Sequence, residues 1–161
     1  MKFRSMISQV GKPVSTAEAL TGRSTRWIAK KFGVSIRTAQ RWKAGTQQPT
    51  EKGGRRAKVA KSADRLKVAA KVLRETRAVN AGRVGVKSDT GRAAAREGTR
   101  NVGLVQLDDS ARDRMAQAAD ALAAGDVERA EDLVSDAILN TGGRNYGPLQ
   151  ISDYPPGFHL I

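Results

Sequence analysis

The run Trp27-Ile28-Ala29-Lys30-Lys31-Phe32-Gly33-Val34-Ser35-Ile36-Arg37-Thr38-Ala39-Gln40-Arg41-Trp42 narrows the fold more than any other stretch of this chain. Ala29 supplies the small side chain needed where two helices touch. Four residues later, Gly33 suits a turn that requires positive φ. Ile28, Phe32, Val34, Ala39 and Trp42 recur at spacings that turn one side of each helix inward. Ser35 is a strong N-cap residue and leaves the start of the second helix facing outward, where a phosphate can meet it. The pattern predicts a helix over 25–32, a turn at Gly33 and a second helix from Ser35 to Lys43: a helix-turn-helix. An ordinary helix pair with a glycine turn meets the same rules, so the surrounding charge has to separate the two readings.

That charge is one-sided. The chain holds 29 Lys and Arg against 16 Asp and Glu, a formal +13. Residues 1–100 carry 25 basic and 6 acidic side chains, whereas residues 101–161 carry 4 and 10. A cationic region that meets a polyanion, followed by an acidic region with another task, is implied. The basic stretches lack the Trp, Phe and Leu side that an interfacial membrane helix buries, and no apolar run is long enough to span a bilayer. A cytoplasmic, nucleoid-associated protein with nucleic acid as partner is expected. Leu, Ile, Val and Phe make up only 32 of the 161 residues, so parts of the chain are expected to order only on binding.

Helix and strand signals divide the chain into three parts. The first, 1–50, is a helix-turn-helix domain: a loose basic arm over 1–14, a helix over 16–22 opened by the capping box Ser15-Thr16-Ala17-Glu18, and the two helices above. The second, 51–81, is a basic helix and linker, following a Gly/Pro linker at 45–54. Val59, Ala63, Leu66, Ala70 and Leu73 form one stripe of a helix over 55–76. The third, 82–161, is a small module for dimerisation or partner contact. It comprises strands near 83–87 and 102–107 flanking a flexible loop over 88–100, helices over 109–124 and 127–139 forming an αα-hairpin, and short strands near 148–152 and 157–161. The fold class is α+β.

Helical spacing also assigns the contacts. With Ala39 and Trp42 facing inward, Ile36, Arg37, Gln40, Arg41 and Lys43 face out. Arg suits guanine O6/N7, Gln suits adenine N6/N7, and an apolar side chain can meet a thymine methyl. Base reading therefore falls to Arg37, Gln40 and Ile36, with phosphate or mixed contacts from Arg41 and Lys43 and backbone contacts from Ser35 and from Thr25, Arg26 and Lys30 on the preceding helix. Arg55, Arg56 and Lys58 either lie along the same DNA or belong to a solvated linker helix. A single short helix reads few bases, so a homodimer on two half-sites is expected.

Catalysis finds little support in the residues. Without cysteine there is no thiolate nucleophile and no Cys-based zinc site, and His159 is the single histidine. Asp108 and Asp109, the closest approach to a carboxylate pair, fit helix capping better than a metal-dependent nuclease. No GxxxxGK[ST] loop is present. No catalytic residue, metal or cofactor is expected, and the reading is a binding protein rather than an enzyme.

The order of segments resembles a known family. Phe32 to Thr38 and Arg41-Trp42-Lys43 lead into a basic helix. Val84 to Thr90, Ala123-Ala124-Gly125-Asp126, Gly142-Gly143-Arg144-Asn145-Tyr146-Gly147 and Leu149 to Tyr154 come after it in order. Together these resemble the Tpg-type terminal proteins that cap linear actinobacterial chromosomes and plasmids. The resemblance implies binding to telomeric DNA, a telomere-associated protein and DNA polymerase as partners, and a first nucleotide carried on a side-chain hydroxyl. Ser88, Thr90 and Thr99, beside Arg92, Arg96 and Arg100, are the hydroxyls it points to, while Ala95 stands nearest the family's priming threonine. The same hydroxyls also read as plain loop residues. Two roles are open to a double-stranded DNA binder of this kind: maintenance or replication of a linear replicon, or transcriptional repression of a plasmid or phage type.

Overall fold

Two hydrophobic cores organise the chain, and the smaller one is threaded into the larger. The computed structural model describes residues 1–88 and 97–161. In chain order the elements are α1 (Phe3–Val10), α2 (Thr16–Ala19), α3 (Thr25–Phe32), α4 (Ile36–Lys43), a 3-10 turn (Lys52–Gly54), α5 (Arg55–Lys61) and α6 (Arg65–Glu75). After these come β1 (Ala78–Ser88), β2 (Gly98–Gln106), α7 (Asp109–Ala123), α8 (Val127–Leu139), β3 (Leu149–Asp153) and β4 (His159–Leu160). The class is α+β, helices with one antiparallel sheet. β1 lies at its centre, with β2 on one side and β3 and β4 on the other.

The smaller core joins Leu20, Ile28, Ala39, Trp42 and Val59, from the segment holding α2 to α5. The larger core joins α1, α6, the sheet, α7 and α8, through Phe3, Met6, Leu73, Val84, Met115, Ile138, Ile151 and Tyr154 among others. A Cβ built on Gly11, just after α1, would stand 2.3 Å from the carbonyl oxygen of Arg65 at the start of α6. The chain therefore leaves the larger core and re-enters it at one place, with the small helical unit looped out between.

Residues 1–14, expected as a loose basic arm, instead begin with a packed helix. Phe3, Met6, Ile7 and Val10 fall on one helical side, and the first three are buried. Lys2, Arg4 and Lys12 make the stretch look basic and mask this stripe. The helix expected over 55–76 is also corrected: it is two helices. Asp64 interrupts it by accepting from the Lys67 amide at 3.4 Å, while the Ser62 hydroxyl donates to the Val59 carbonyl at 2.7 Å. The apolar stripe serves both cores, Val59 the smaller, Ala70 and Leu73 the larger.

Elsewhere the local signals are met, except that the helix expected over 16–22 ends at Ala19, with Leu20 as its C-cap. Ser15 Oγ accepts from the Glu18 amide at 3.1 Å, and the Glu18 carboxylate accepts from Val14 N at 2.7 Å, one residue beyond the usual capping-box partner. The αα-hairpin of α7 and α8 forms, capped by Asp108 and Asp126. β1 begins at Ala78 and β2 at Gly98, both earlier than expected, so Ser88 and residues 98–100 of the expected loop are paired strand while 89–96 lie outside the described residues. A bulge beside Gly82 breaks the register of β1 with β2.

Asp108 ties the start of the hairpin to the segment just beyond its end. Its carboxylate accepts from Ala111 N at 2.8 Å and from Gly142 N at 3.0 Å, and the Thr141 hydroxyl accepts from its amide at 3.1 Å. The Ala111 amide first, then that of Gly142, holds the Asp108 carboxyl below the usual carboxylate range. The stabilisation is complete above the unfolded-state value of about 3.9 and is lost as pH falls through the lowered native one. Asp108→Asn is expected to lower the urea midpoint at neutral pH and to flatten its decline below about pH 4; identical profiles would show that Asp108 does not tie these segments together. Gly11→Ala should cost roughly 1–3 kcal/mol in chemical denaturation, because the new methyl meets backbone that cannot move aside cheaply; an unchanged midpoint would contradict the close approach.

Candidate nucleic-acid interface

The helix-turn-helix is built as its residues require. Ser24 caps α3 by accepting from Trp27 N, and Gly33 ends it in the left-handed region at φ 61°, ψ 42°. The Val34 amide returns to the Ala29 carbonyl at 3.1 Å, closing the turn. Ser35 then caps α4, its Oγ accepting from Thr38 N at 3.1 Å and lying 2.9 Å from the Thr38 hydroxyl.

Beneath the turn, Phe32 meets two indoles edge-on, with ring centroids 6.2 Å from Trp27 and 6.1 Å from Trp42. The Arg23 guanidinium lies 4.5 Å from the Trp27 ring centroid and donates to the Ser62 carbonyl at 3.2 Å. Arg23 is thus a structural cation that clamps α3 to the end of α5. No sequence signal marks this role, since Arg23 reads as one more basic residue. The Thr16 hydroxyl bonds the Gln48 side chain, securing the segment after α4 to α2.

The side of α4 away from this core is open. Arg37, Gln40, Arg41 and Lys43 are exposed and Ile36 is 49% exposed, whereas Ala39 and Trp42 are 0% and 2%. All five side chains expected to face out do so. On α3, Arg26 and Lys30 are exposed and Thr25 is half-buried in the first turn; Lys31, not singled out from the sequence, is exposed as well. The Ser35 oxygen is committed to its cap. What Ser35 leaves at the mouth of α4 are the Ile36 and Arg37 amides, which as the first two of the helix have no intrahelical partner.

The three α5 residues differ from one another. Lys58 is exposed and Arg55 half-buried. Arg56 is held within the chain by an ion pair with Glu51 at 2.6 Å and by donation to the Pro49 carbonyl at 3.4 Å. Of the hydroxyls singled out for nucleotide attachment, Ser88 is half-buried at the end of β1 and its amide donates to Glu97 at 3.3 Å. Thr99 is exposed near the start of β2; Thr90 lies outside the described residues, as do Arg92, Ala95 and Arg96.

Among the described residues, no cluster of His, Cys, Asp and Glu has the grouping to hold a metal ion, and no helix is long and apolar enough to cross a membrane. Comparison with protein-family models, with curated proteins and with solved structures finds no match for this chain.

Proposed function

We propose that this chain is a site-specific double-stranded DNA-binding protein whose α4 enters the major groove. The observation that carries the reading is the division of α4: Ala39 and Trp42 buried beneath, Ile36, Arg37, Gln40, Arg41 and Lys43 open above. Arg37 and Gln40 are the base readers, donating to guanine and pairing with adenine respectively, and Ile36 meets a thymine methyl. Arg41 and Lys43, with Arg26 and Lys30 of α3, grip the phosphates that flank those bases. Lys58 and Arg55 extend the cationic surface, while Arg56 serves its own linker first.

The protein acts as a binder rather than an enzyme, and as a homodimer, since an eight-residue α4 spans too few base pairs for high specificity alone. The finer role rests on the resemblance to Tpg-type terminal proteins: maintenance or replication of a linear bacterial replicon, with a telomere-associated protein and DNA polymerase as partners. A footprint on genomic fragments that include replicon ends tests that role. Protein retained on 5′ ends after denaturation supports it, and an internal palindrome ahead of the protein's own gene supports repression instead.

The base-reading claim is tested on duplexes selected from a random pool. Arg37→Ala or Gln40→Ala should each cost about 1–3 kcal/mol and relax preference at one base position. Equal weakening on every sequence would show that neither side chain reads bases.

A further inference from the structure

The sheet that the acidic helices α7 and α8 pack against carries a cationic side of its own. The exposed carboxylates of the helices include Asp113, Asp120, Glu128 and Asp132. The outward side of the sheet is different. Arg83 and Lys87 lie four apart on β1, so both point the same way, with Gly85 between them adding no side chain. Their cross-strand neighbours are Asn101 and Gln150. Asn80, Arg83, Lys87, Thr99 and Asn101 are all exposed, so none of the described residues covers this part of the sheet.

Lys87 also borders a cleft of about 280 Å³ that it shares with Lys2, Arg4, Glu131 and Ser152. Lys2 reaches in from the N-terminus and donates to the Ser152 carbonyl at 3.1 Å. Among the described residues, Asp153, Glu131, Asp132 and Glu97 are the carboxylates near these cations; Asp132 accepts from Gln150, and Glu97 from the Ser88 amide at 3.3 Å. Asp153 is engaged by the Met1 ammonium at 2.7 Å. Glu131 is partly withdrawn from water, and that burial pushes its carboxyl up despite the pull of Lys87, Lys2 and Arg4.

Lys2, Arg4 and Lys87 share the cleft, and Arg83 follows Lys87 along the same side of β1; cations gathered in this way favour a polyanion. Arg83 and Lys87 are about 13 Å apart along the strand. That is too far to share one phosphate and well suited to a backbone bearing a charge at about every 3.4 Å of axis per strand. Phe3 lines the same cleft but is 1% exposed and packed on Tyr154, so it offers bases no open ring to stack on. We propose that the open side of the sheet and its adjoining cleft form a second nucleic-acid contact surface, gripping the phosphodiester backbone through Lys2, Arg4, Arg83 and Lys87 without regard to base sequence. The polyanion is taken from the DNA-binding reading above, but the surface does not depend on α4 being the base-reading helix.

The test uses the full chain, fluorescence anisotropy and a salt series, with a duplex of arbitrary sequence and a single strand of equal length as probes. In the triple variant Arg4→Gln, Arg83→Gln, Lys87→Gln, the slope of log K against log salt on the duplex should shrink by about 2 to 3, about 0.9 for each lost phosphate contact. The same reduction should appear in a chain already carrying Arg37→Ala and Gln40→Ala, which separates failure of this surface from failure of α4. A reduction on the single strand alone would assign the surface to unpaired backbone. Asn101→Glu places an acid opposite Arg83 without entering the core, and it should weaken binding even if the triple variant folds poorly. An unchanged slope in both variants overturns the proposal. So does a change in sedimentation showing that these residues join two copies of the chain.

Discussion

The base-reading role proposed for α4 depends on the burial of Trp42 and Ala39 beneath it. An eight-residue helix has almost no stability alone in water, because the cost of its first turn is not recovered over so short a length. What holds α4 is its inward side, where Trp42 meets Phe32 and joins Ile28, Leu20 and Val59 in the smaller core. Once those two positions are fixed inward, the rotation of the helix is fixed too. Arg37 and Gln40 then have no direction left but outward. Gly33 and Ser35 set where the helix begins; the indole sets which way it turns.

A core this small would be marginal by itself. The fold compensates by looping it out of a larger one. Gly11 packs so closely on the Arg65 carbonyl that the unit's two ends are held together, and Arg23 reaches across to Ser62 near the second of them. Ordering of α1 and α6 in the larger core therefore shortens the loop that α2 to α5 must close, which lowers its entropic cost.

The sequence is most readable where structure is local. Gly33, Ser35 and the apolar spacing around them define α3 and α4 almost residue for residue, and Asp108, Gly125 and Asp126 do the same for α7 and α8. It is least readable where distant parts of the chain meet. Phe3, Met6 and Ile7 make a short stripe within a basic stretch, and only contact with α6 and Tyr154 gives that stripe a purpose. The break at Asp64 is likewise hidden, since the stripe from Val59 to Leu73 keeps helical period across it while serving two different cores. Among the candidate contacts, side chains on the outward arc of α4 can be read from helical geometry alone. Arg23 and Arg56 cannot, because their partners, Trp27 and Ser62 for one and Glu51 and Pro49 for the other, depend on how the helices pack.

Charge shows the same division of labour. Cations crowd the looped-out unit, carboxylates line α7 and α8, and the sheet turns a short basic strip the other way. An amide-resolved NMR titration of the full chain with a duplex reports on α4 without intermediaries. The largest shifts and line broadening are expected on residues 35–43, with smaller ones on α3. Perturbation confined to α7 and α8, with 35–43 unmoved, would mean that α4 is not the helix that meets DNA.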